Sequence, residues 1–276
     1  MKAYAKINLF LDVKNKREDG YHNIETVMAL INLYDEIEAE KDQYLSLSSD
    51  LFIEDNIIMK IARYLKKEYN VKEGARLKLT KRIPLGSGLG GESSDAATTI
   101  KLLNDFWHLN LDLNQMIEIG KLFGSDITFF LTSFKQAIVK GRGEIVEEIK
   151  LPLDYYKVVL FNSNIGISTK EIYDNYQISE LKNLNEALTD LKSNDLSVFR
   201  KGLYNALYKV VEEKYEEIKK TKKELERRYT FPTLLTGTGS TIYMIAKEKD
   251  ILYNQPKLKD FNNLAINEIV LKSFIL

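Results

Sequence analysis

Residues 84–97 read PLGSGLGGESSDAA. Four of the first eight are glycine, and a glutamate, two serines and an aspartate follow. The preceding ARLKLTKRIP alternates as a strand does and stops at Pro84. Behind the glycines, Ala96, Ile100, Leu103 and Trp107 recur at helical spacing, so SSDAATTIKLLNDFW is read as a helix opening at Ser93 and Ser94. Glycines between a strand and a helix let backbone N–H groups approach a ligand closely. The helix start adds unpaired N–H groups and the positive end of a dipole, which together make an anion site, most often for phosphate. A plain glycine turn with a serine cap would use the same residues. Two serines whose hydroxyls reach phosphate or a metal favour the anion site. No lysine follows Gly91, so the loop is not a Walker A motif. No acidic residue ends a clear second strand about 20 residues on, so it is not a dinucleotide fingerprint either.

Outward from the loop, residues 3–13 alternate, with Ala3, Ala5, Ile7, Leu9 and Leu11 on one face and Tyr4, Lys6, Asn8, Phe10 and Asp12 on the other. That pattern predicts a half-buried strand with Lys6 and Asn8 pointing the same way. EDG is a turn signal before Tyr21 and His22, and DNIIMKIARYLKKEY reads as an amphipathic helix. LDLNQMIEIGKLFG is another helix, with Asp112 as cap and Gly124 as stop, and DITFFL follows at once. AIVKGRGEIVEEIKLP predicts strands around a glycine turn, ending near Pro152. A second block opens with the strand YYKVVLFNS, continues through several helices over residues 178–229, and reaches a further glycine-rich loop in TLLTGTGSTIYMIAK. The charged run near residues 212–229 is read as a solvated helix face. Two domains are expected, 1–150 and 151–276.

The chain has 276 residues, enough for one large domain or two ordinary ones with a real core. Lysine plus arginine and aspartate plus glutamate both number 40, so net charge gives no case for nucleic acid or membrane partners. Cysteine is absent, which removes disulfides, thiolate metal sites and a cysteine nucleophile. His22 and His108 are the only histidines, so a multi-histidine metal site is out. No apolar run approaches the roughly 20 residues that span a bilayer. Lys6 and Asn8 interrupt any signal-peptide core near the start, and the expected place is the cytoplasm.

PLGSGLGGESSDAA resembles the phosphate-binding motif of the GHMP kinases, the family of galactokinase, homoserine kinase and mevalonate kinase. AYAKINLFLDV (3–13), REDGYHNIETVM (17–28) and LFGSDITFFL (122–131) narrow the resemblance to the branch acting on a cytidine-diphosphate-linked methylerythritol, and GTGST (237–241) matches the third glycine-rich motif. The resemblance covers residues 3 to about 245. It implies an α+β fold of two domains, the first like ribosomal protein S5 and the second ferredoxin-like, with the site in the cleft between them. It implies ATP and Mg2+, and phosphorylation of the substrate's tertiary 2-hydroxyl in non-mevalonate isoprenoid synthesis. The partner is then a small molecule, with no nucleic acid and no membrane, and the protein a monomer or homodimer.

Carried over by position, Lys6 and Asp126 are the implied catalytic residues. Pro84, Gly86, Gly88, Leu89, Gly90, Gly91, Ser93 and Ser94 are the implied ATP loop, with Asn56 and Lys81 also meeting the nucleotide. Asn8, Tyr21, His22, Thr169, Tyr173, Gly237, Thr238 and Gly239 are implied for substrate, with Tyr21 and His22 holding the cytosine and Thr169 and Tyr173 closing on it from the other side. The chemistry agrees: a carboxylate can accept the hydroxyl proton, and a lysine can keep that carboxylate ionised and orient the hydroxyl. Read singly, Asp126 is as readily the cap of the next helix, Lys6 a solvated strand lysine, His22 a surface residue and the two tyrosines core or rim. Only the joint pattern lifts them.

Three residues depart from the family pattern. Glu92 stands where a third glycine is usual, Thr128 where a proline is, and Ser133 where a glycine is common. A carboxylate ~4 Å from a phosphate charge costs about 4 kcal/mol at an effective dielectric of 20. Glu92 should therefore point away from the phosphates or meet them through a magnesium ion, and its backbone should not need positive φ. Two other readings stay open: a GHMP kinase for another small alcohol, mevalonate- or homoserine-like, and a nucleotide-binding homologue without turnover. Intact Lys6 and Asp126 argue against the second. A nucleic-acid-binding role for the S5-like fold is opposed by the zero net charge.

Overall fold

The computed structural model describes residues 1–163, 165–178, 181–247, 250, 266 and 268–274. In chain order the elements are β1 (Lys2–Lys16), β2 (His22–Asp42), β3 (Leu45–Ser49), α1 (Ile57–Glu68), β4 (Gly74–Thr80), α2 (Gly91–Phe106), α3 (Leu113–Lys121) and α4 (Ile127–Leu131). Then follow β5 (Gln136–Gly141), β6 (Ile145–Glu148), β7 (Tyr156–Asn162), α5 (Thr169–Asn175), α6 (Leu184–Leu191), α7 (Leu196–Phe199), β8 (Tyr204–Asn205), α8 (Tyr208–Lys214), α9 (Glu216–Arg228), β9 (Thr233–Leu235), β10 (Ile242–Lys247) and β11 (Glu268–Ser273). The chain forms two compact units, each made of separate stretches of sequence.

The first unit holds Met1–Ala5, Leu33–Ile83 and Gly90–Phe134. The C-terminal half of β2 pairs antiparallel with β4, Ile37 opposite Leu79, and β3 pairs parallel with β4. Helix α1 is amphipathic and buries Ile58, Ile61, Ala62 and Leu65, while Asn56 caps it by accepting from the Ile58 N–H. Helix α3 starts in a capping box between Asp112 and Gln115. Strand β4 ends at Thr80, short of the Pro84 stop that alternation predicts. The reason is where the next donors go: the Lys81 N–H bonds the Asp50 carboxylate, and those of Arg82 and Ile83 bond Asp35. With its N–H groups spent on side chains, the segment has no ladder to join. Helix α2 also starts earlier than predicted, at Gly91 rather than at the serines. Gly90, at φ +72°, is its cap, and the Ser94 N–H closes the first turn on the Gly90 carbonyl.

The second unit holds Lys6–Asn32, Pro84–Leu89 and the residues from Lys135 onward. Here the N-terminal half of β2 pairs with β5, β5 pairs with β6, and β1 runs between β2 and the two-residue β8. A second, antiparallel sheet has the order β11-β7-β10-β9. Val159, Phe161, Leu235 and Met244 of this sheet share a core with Leu207 and Val211 near α8 and with Ile218 and Leu225 of α9. The charged α9 thus buries one thin stripe and solvates the rest, as its sequence predicts.

Strand β1 is not half-buried. Both faces are covered from Ala5 to Val13, including Lys6, Asn8, Phe10 and Asp12. The polar face can be buried because its groups are paired. Asp12 accepts from Lys14 and from the N–H groups of Val13 and Lys182, and Asn8 and Lys6 join the network described next.

Candidate active site

Pro84–Leu89 belongs to the second unit and is stitched there from three sides. Ser87 Oγ donates to the Pro84 carbonyl at 2.7 Å, and the Ser87 carbonyl accepts from the Thr241 N–H. The Lys6 N–H donates to the Leu89 carbonyl. Gly86 and Gly88 both take left-handed φ, +60° and +75°. The Gly88 Cα lies so close to the turn at 236–239 that a methyl group would collide with the Thr236 carbonyl oxygen. Around Gly86 the space is open to 4 Å. Tight packing at one glycine and open space at its neighbour suit a loop that exposes its backbone to an anion.

Lys6 is 3 % exposed. Its ammonium donates to Asn8 Oδ1 at 2.6 Å and to the Gly88 carbonyl at 3.1 Å. Asn8 in turn donates from Nδ2 to Thr26 Oγ1, whose hydroxyl donates to the Phe10 carbonyl. The Asn8 carbonyl accepts from the Tyr243 hydroxyl at 2.7 Å. Thr236 Oγ1 accepts from the Asn8 N–H and reaches both Asn8 Oδ1 and the Gly88 carbonyl. A Cβ on Gly237 would stand 3.5 Å from Lys6 Nζ. The structure therefore gathers Lys6, Asn8, Gly88 and Gly237 around one buried ammonium.

Other expected substrate residues also meet in this unit. Thr169 Oγ1 and Thr238 Oγ1 share a hydrogen bond of 3.2 Å. Gly237 and Gly239 turn the loop with φ +55° and +89°. The rings of His22 and Tyr173 are 5.3 Å apart and tilted. Partial burial lowers the His22 pKa and the Lys16 charge pushes the same way, against Asp174, which favours the neutral ring. Tyr21 lies half out in solvent, with the Arg142 guanidinium 3.6 Å over its ring centre. One face of Tyr21 is thus covered by a cation, while His22 is a ring that meets Tyr173.

In the first unit, Ser93 and Ser94 fall in the first turn of α2, with Gly91 and Glu92 ahead of them. Glu92 is exposed, and its φ is not positive, as expected of its backbone. The Lys81 ammonium is engaged by two buried carboxylates, Asp35 at 2.5 Å and Asp95 at 2.7 Å. It also lies 3.2 Å from where a Cβ on Gly91 would be, so this cluster packs directly against the start of α2. Asp35 Oδ1 accepts two backbone N–H groups, whereas Asp95 Oδ1 is buried without a partner among the described residues. Burial pushes the Asp95 carboxyl up to about 7, with Lys81 opposing and Asp35 adding to the rise.

Asp126 stands half-buried at the N-cap position of α4 but makes no side-chain capping bond, so the plain capping reading does not account for it. Thr128 is buried with its hydroxyl unpaired among the described residues, and Ser133 is exposed. Among the described residues no three His, Cys, Asp or Glu side chains cluster as a metal site. Sequence reasoning missed Thr236, Asn205, Thr26, Asp35, Asp95 and Arg142. Thr236 was within reach, standing directly before the glycines of GTGST. Asn205, which donates to the Leu235 and Gly237 carbonyls at 2.8 Å each, gives no local signal.

Known proteins share both the sequence and the fold. The family model described as GHMP kinases N terminal domain matches residues 56–133, and that described as GHMP kinases C terminal matches 187–254. The 4-diphosphocytidyl-2-C-methyl-D-erythritol kinase of Thermodesulfovibrio yellowstonii is 39% identical over 259 residues, 90% of each chain. That of Caldanaerobacter subterraneus subsp. tengcongensis is 38% identical, covering 91% of this chain and 89% of its own. A crystal structure of 4-(cytidine 5'-diphospho)-2C-methyl-D-erythritol kinase superposes with a TM-score of 0.80 at 25% identity, over 99% of this chain and 98% of that one. A buried lysine held against a glycine loop, in a sequence this close to these enzymes over nine-tenths of its length, has one family to fall in: the chain belongs to the GHMP kinases, among the 4-diphosphocytidyl-2-C-methyl-D-erythritol kinases.

Proposed function

We propose that the chain phosphorylates the tertiary 2-hydroxyl of 4-diphosphocytidyl-2-C-methyl-D-erythritol, at the expense of ATP, in isoprenoid precursor synthesis. The observation that carries the reading is Lys6: a buried ammonium tied to the Gly88 carbonyl, in a chain 39% identical to enzymes of that name. Phosphoryl transfer leaves the protein little covalent work, so positioning and charge stabilisation dominate. Asp126, half-buried at the start of α4, accepts the hydroxyl proton. Lys6 orients the hydroxyl and offsets developing negative charge. ATP supplies the phosphoryl group. Backbone N–H groups from Gly86, Gly88, Leu89, Gly90 and Gly91, in the loop that Pro84 opens, hold its phosphates with the hydroxyls of Ser93 and Ser94. Asn56, which caps α1, and Lys81, whose ammonium is held by Asp35 and Asp95, also meet the nucleotide in this reading. A magnesium ion would come with the nucleotide, near the hydroxyls of Ser93 and Ser94, and would offset phosphate charge.

Tyr21, His22 and Tyr173 form the cytosine pocket, with Asn8, Thr169, Gly237, Thr238 and Gly239 completing the substrate site. Division of the chain near residue 150 is proposed for the two domains, supported by family matches lying on either side of it. Among the described residues no helix is long and apolar enough to cross a membrane, in keeping with a small-molecule enzyme of the cytoplasm.

The test is phosphate transfer from ATP to the cytidyl substrate, mevalonate and homoserine in parallel. The cytidyl substrate should be preferred, and Asp126→Ala should lower turnover by roughly 10²–10⁴ with nucleotide affinity little changed. Preference for another alcohol would refute the substrate, and turnover of Asp126→Ala within about threefold of wild type would refute the base.

A further inference from the structure

Thr236 has no part in the chemistry above, yet it sits at the centre of the Lys6 network. It is wholly buried. Its hydroxyl oxygen accepts from the Asn8 N–H at 3.2 Å, and lies 3.3 Å from Asn8 Oδ1 and 3.2 Å from the Gly88 carbonyl. Those two oxygens are the ones that receive the Lys6 ammonium. Lys6 Nζ, Asn8 Oδ1, Thr236 Oγ1 and the Gly88 oxygen thus close a four-membered ring of polar contacts. A hydroxyl has one proton, so Thr236 donates to one of the two oxygens at a time and stays within reach of the other.

The backbone of Thr236 is fixed as firmly as its side chain. Its N–H donates to the Thr241 carbonyl at 3.1 Å, and its carbonyl accepts from the Gly239 N–H at 2.9 Å. Asn205 Nδ2 donates to the carbonyls on either side of it, Leu235 and Gly237. A hydroxyl on so rigid a corner is a fixed reference point for whatever it touches.

We infer that Thr236 is a positioning residue for the reaction: its hydroxyl holds Asn8 Oδ1 and the Gly88 carbonyl where they direct the Lys6 ammonium. The inference rests on Lys6 acting in catalysis. It assigns to the threonine before the third glycine-rich loop a role in turnover rather than in binding. The valine variant keeps the branched shape, removes the hydroxyl and leaves the Asn8 N–H without its acceptor.

The experiment compares Thr236→Val and Thr236→Ser with wild type, each also in a Lys6→Met background. Thr236→Val should lower kcat roughly 10- to 100-fold, the effect of misplacing a reacting group by a fraction of an ångström to an ångström. KM for ATP and for the alcohol should stay within about threefold, because the group acts in the transition state. Thr236→Ser, which keeps the hydroxyl, should restore most of kcat. In the Lys6→Met background the valine change should cost little more, since the two act as a unit. Equal losses in the serine and valine variants would overturn the inference, as would a full valine effect without Lys6. Should the valine protein not fold by circular dichroism, the serine variant decides alone, and a kcat loss there beyond about tenfold counts against the hydroxyl. An inactive wild type, or a fully active Lys6→Met, would instead sink the catalytic reading beneath it.

Discussion

Gly86 and Gly88 stand two residues apart with nearly the same left-handed backbone, and their alanine variants should behave very differently. Among the described residues, chain neighbours aside, nothing lies within 4 Å of the position a Gly86 methyl would take. At Gly88 the methyl would be driven into the Thr236 carbonyl and would sit 2.9 Å from the Gly239 oxygen and 3.1 Å from its nitrogen. Gly86→Ala therefore costs only the left-handed strain, about 1–2 kcal/mol. Reduced freedom of the unfolded chain offsets about 0.4–1 kcal/mol of that. Gly88→Ala carries the same strain and must also push its loop away from the 236–239 turn, an overpacking cost of about 1–3 kcal/mol. Its carbonyl is the acceptor for Lys6 and Thr236, so the same shift loosens both bonds. Net losses are then about 1 kcal/mol against about 2–5 kcal/mol, and at roughly 2–4 °C per kcal/mol the melting temperatures should fall by roughly 2–4 °C and 4–20 °C. Thermal unfolding followed by circular dichroism measures both. Gly86→Ala should instead show its damage in KM for ATP, because its methyl enters the open side of the loop. Equal melting shifts in the two variants would refute the packing argument, and an unchanged KM for ATP in Gly86→Ala would refute the loop's orientation.

Two further outcomes follow from the other clusters. Asp95, pushed up to about 7 by burial, binds a proton when folded that it has lost when unfolded above about pH 4, so its contribution to stability declines as pH rises from about 4 to about 7. Asp95→Asn should remove that decline, the difference from wild type changing by at most about 1.4 kcal/mol per pH unit in urea melts; a constant difference from about pH 4.5 to about 7.5 would show that Asp95 takes up no proton. Tyr21→Ala and Tyr173→Ala should each weaken binding of the cytidyl substrate by about 1–3 kcal/mol in calorimetry and leave ATP binding unchanged, and normal substrate binding by both variants would discard the aromatic pocket.

Local order was legible in the sequence because its causes are local. Apolar spacing marked α1 and α2, Asp112 announced the capping box of α3, and the glycines at 141 and 143 marked the turn between β5 and β6. What stayed hidden depends on partners far along the chain. β2 is one strand of 21 residues because its first half finds β5 and its second half β4, and neither neighbour shows in its own pattern. The alternation of β1 predicts its two faces, but the burial of the polar face depends on Thr26 and Thr236, which satisfy Asn8 from elsewhere in the chain. Lys81 was picked out for the nucleotide, and its two carboxylate partners come from 46 and 14 residues away. The candidate site was legible as motifs, while the contacts that orient its groups were not.

The glycines of the loop can now be told apart by what each position demands, and this bears on the glutamate among them. Gly88 is required by a neighbouring carbonyl and by its φ, and Gly90 by its φ as helix cap. Gly91 is crowded by the Ile83 and Lys81 side chains, which a Cβ would meet at 2.9 Å and 3.2 Å. Position 92 meets none of these conditions. It is the second residue of α2, with ordinary φ, and its side chain is exposed to water. A glycine there would serve no steric need, and in a helix it is the poorer choice for backbone entropy. An acidic residue in the first turn is also favoured by the helix dipole. That dipole is the one that would attract phosphate, so the two charges compete unless water screens the carboxylate. Exposure provides the screening, which is why Glu92 is compatible with an anion site that a buried carboxylate at the same distance would abolish.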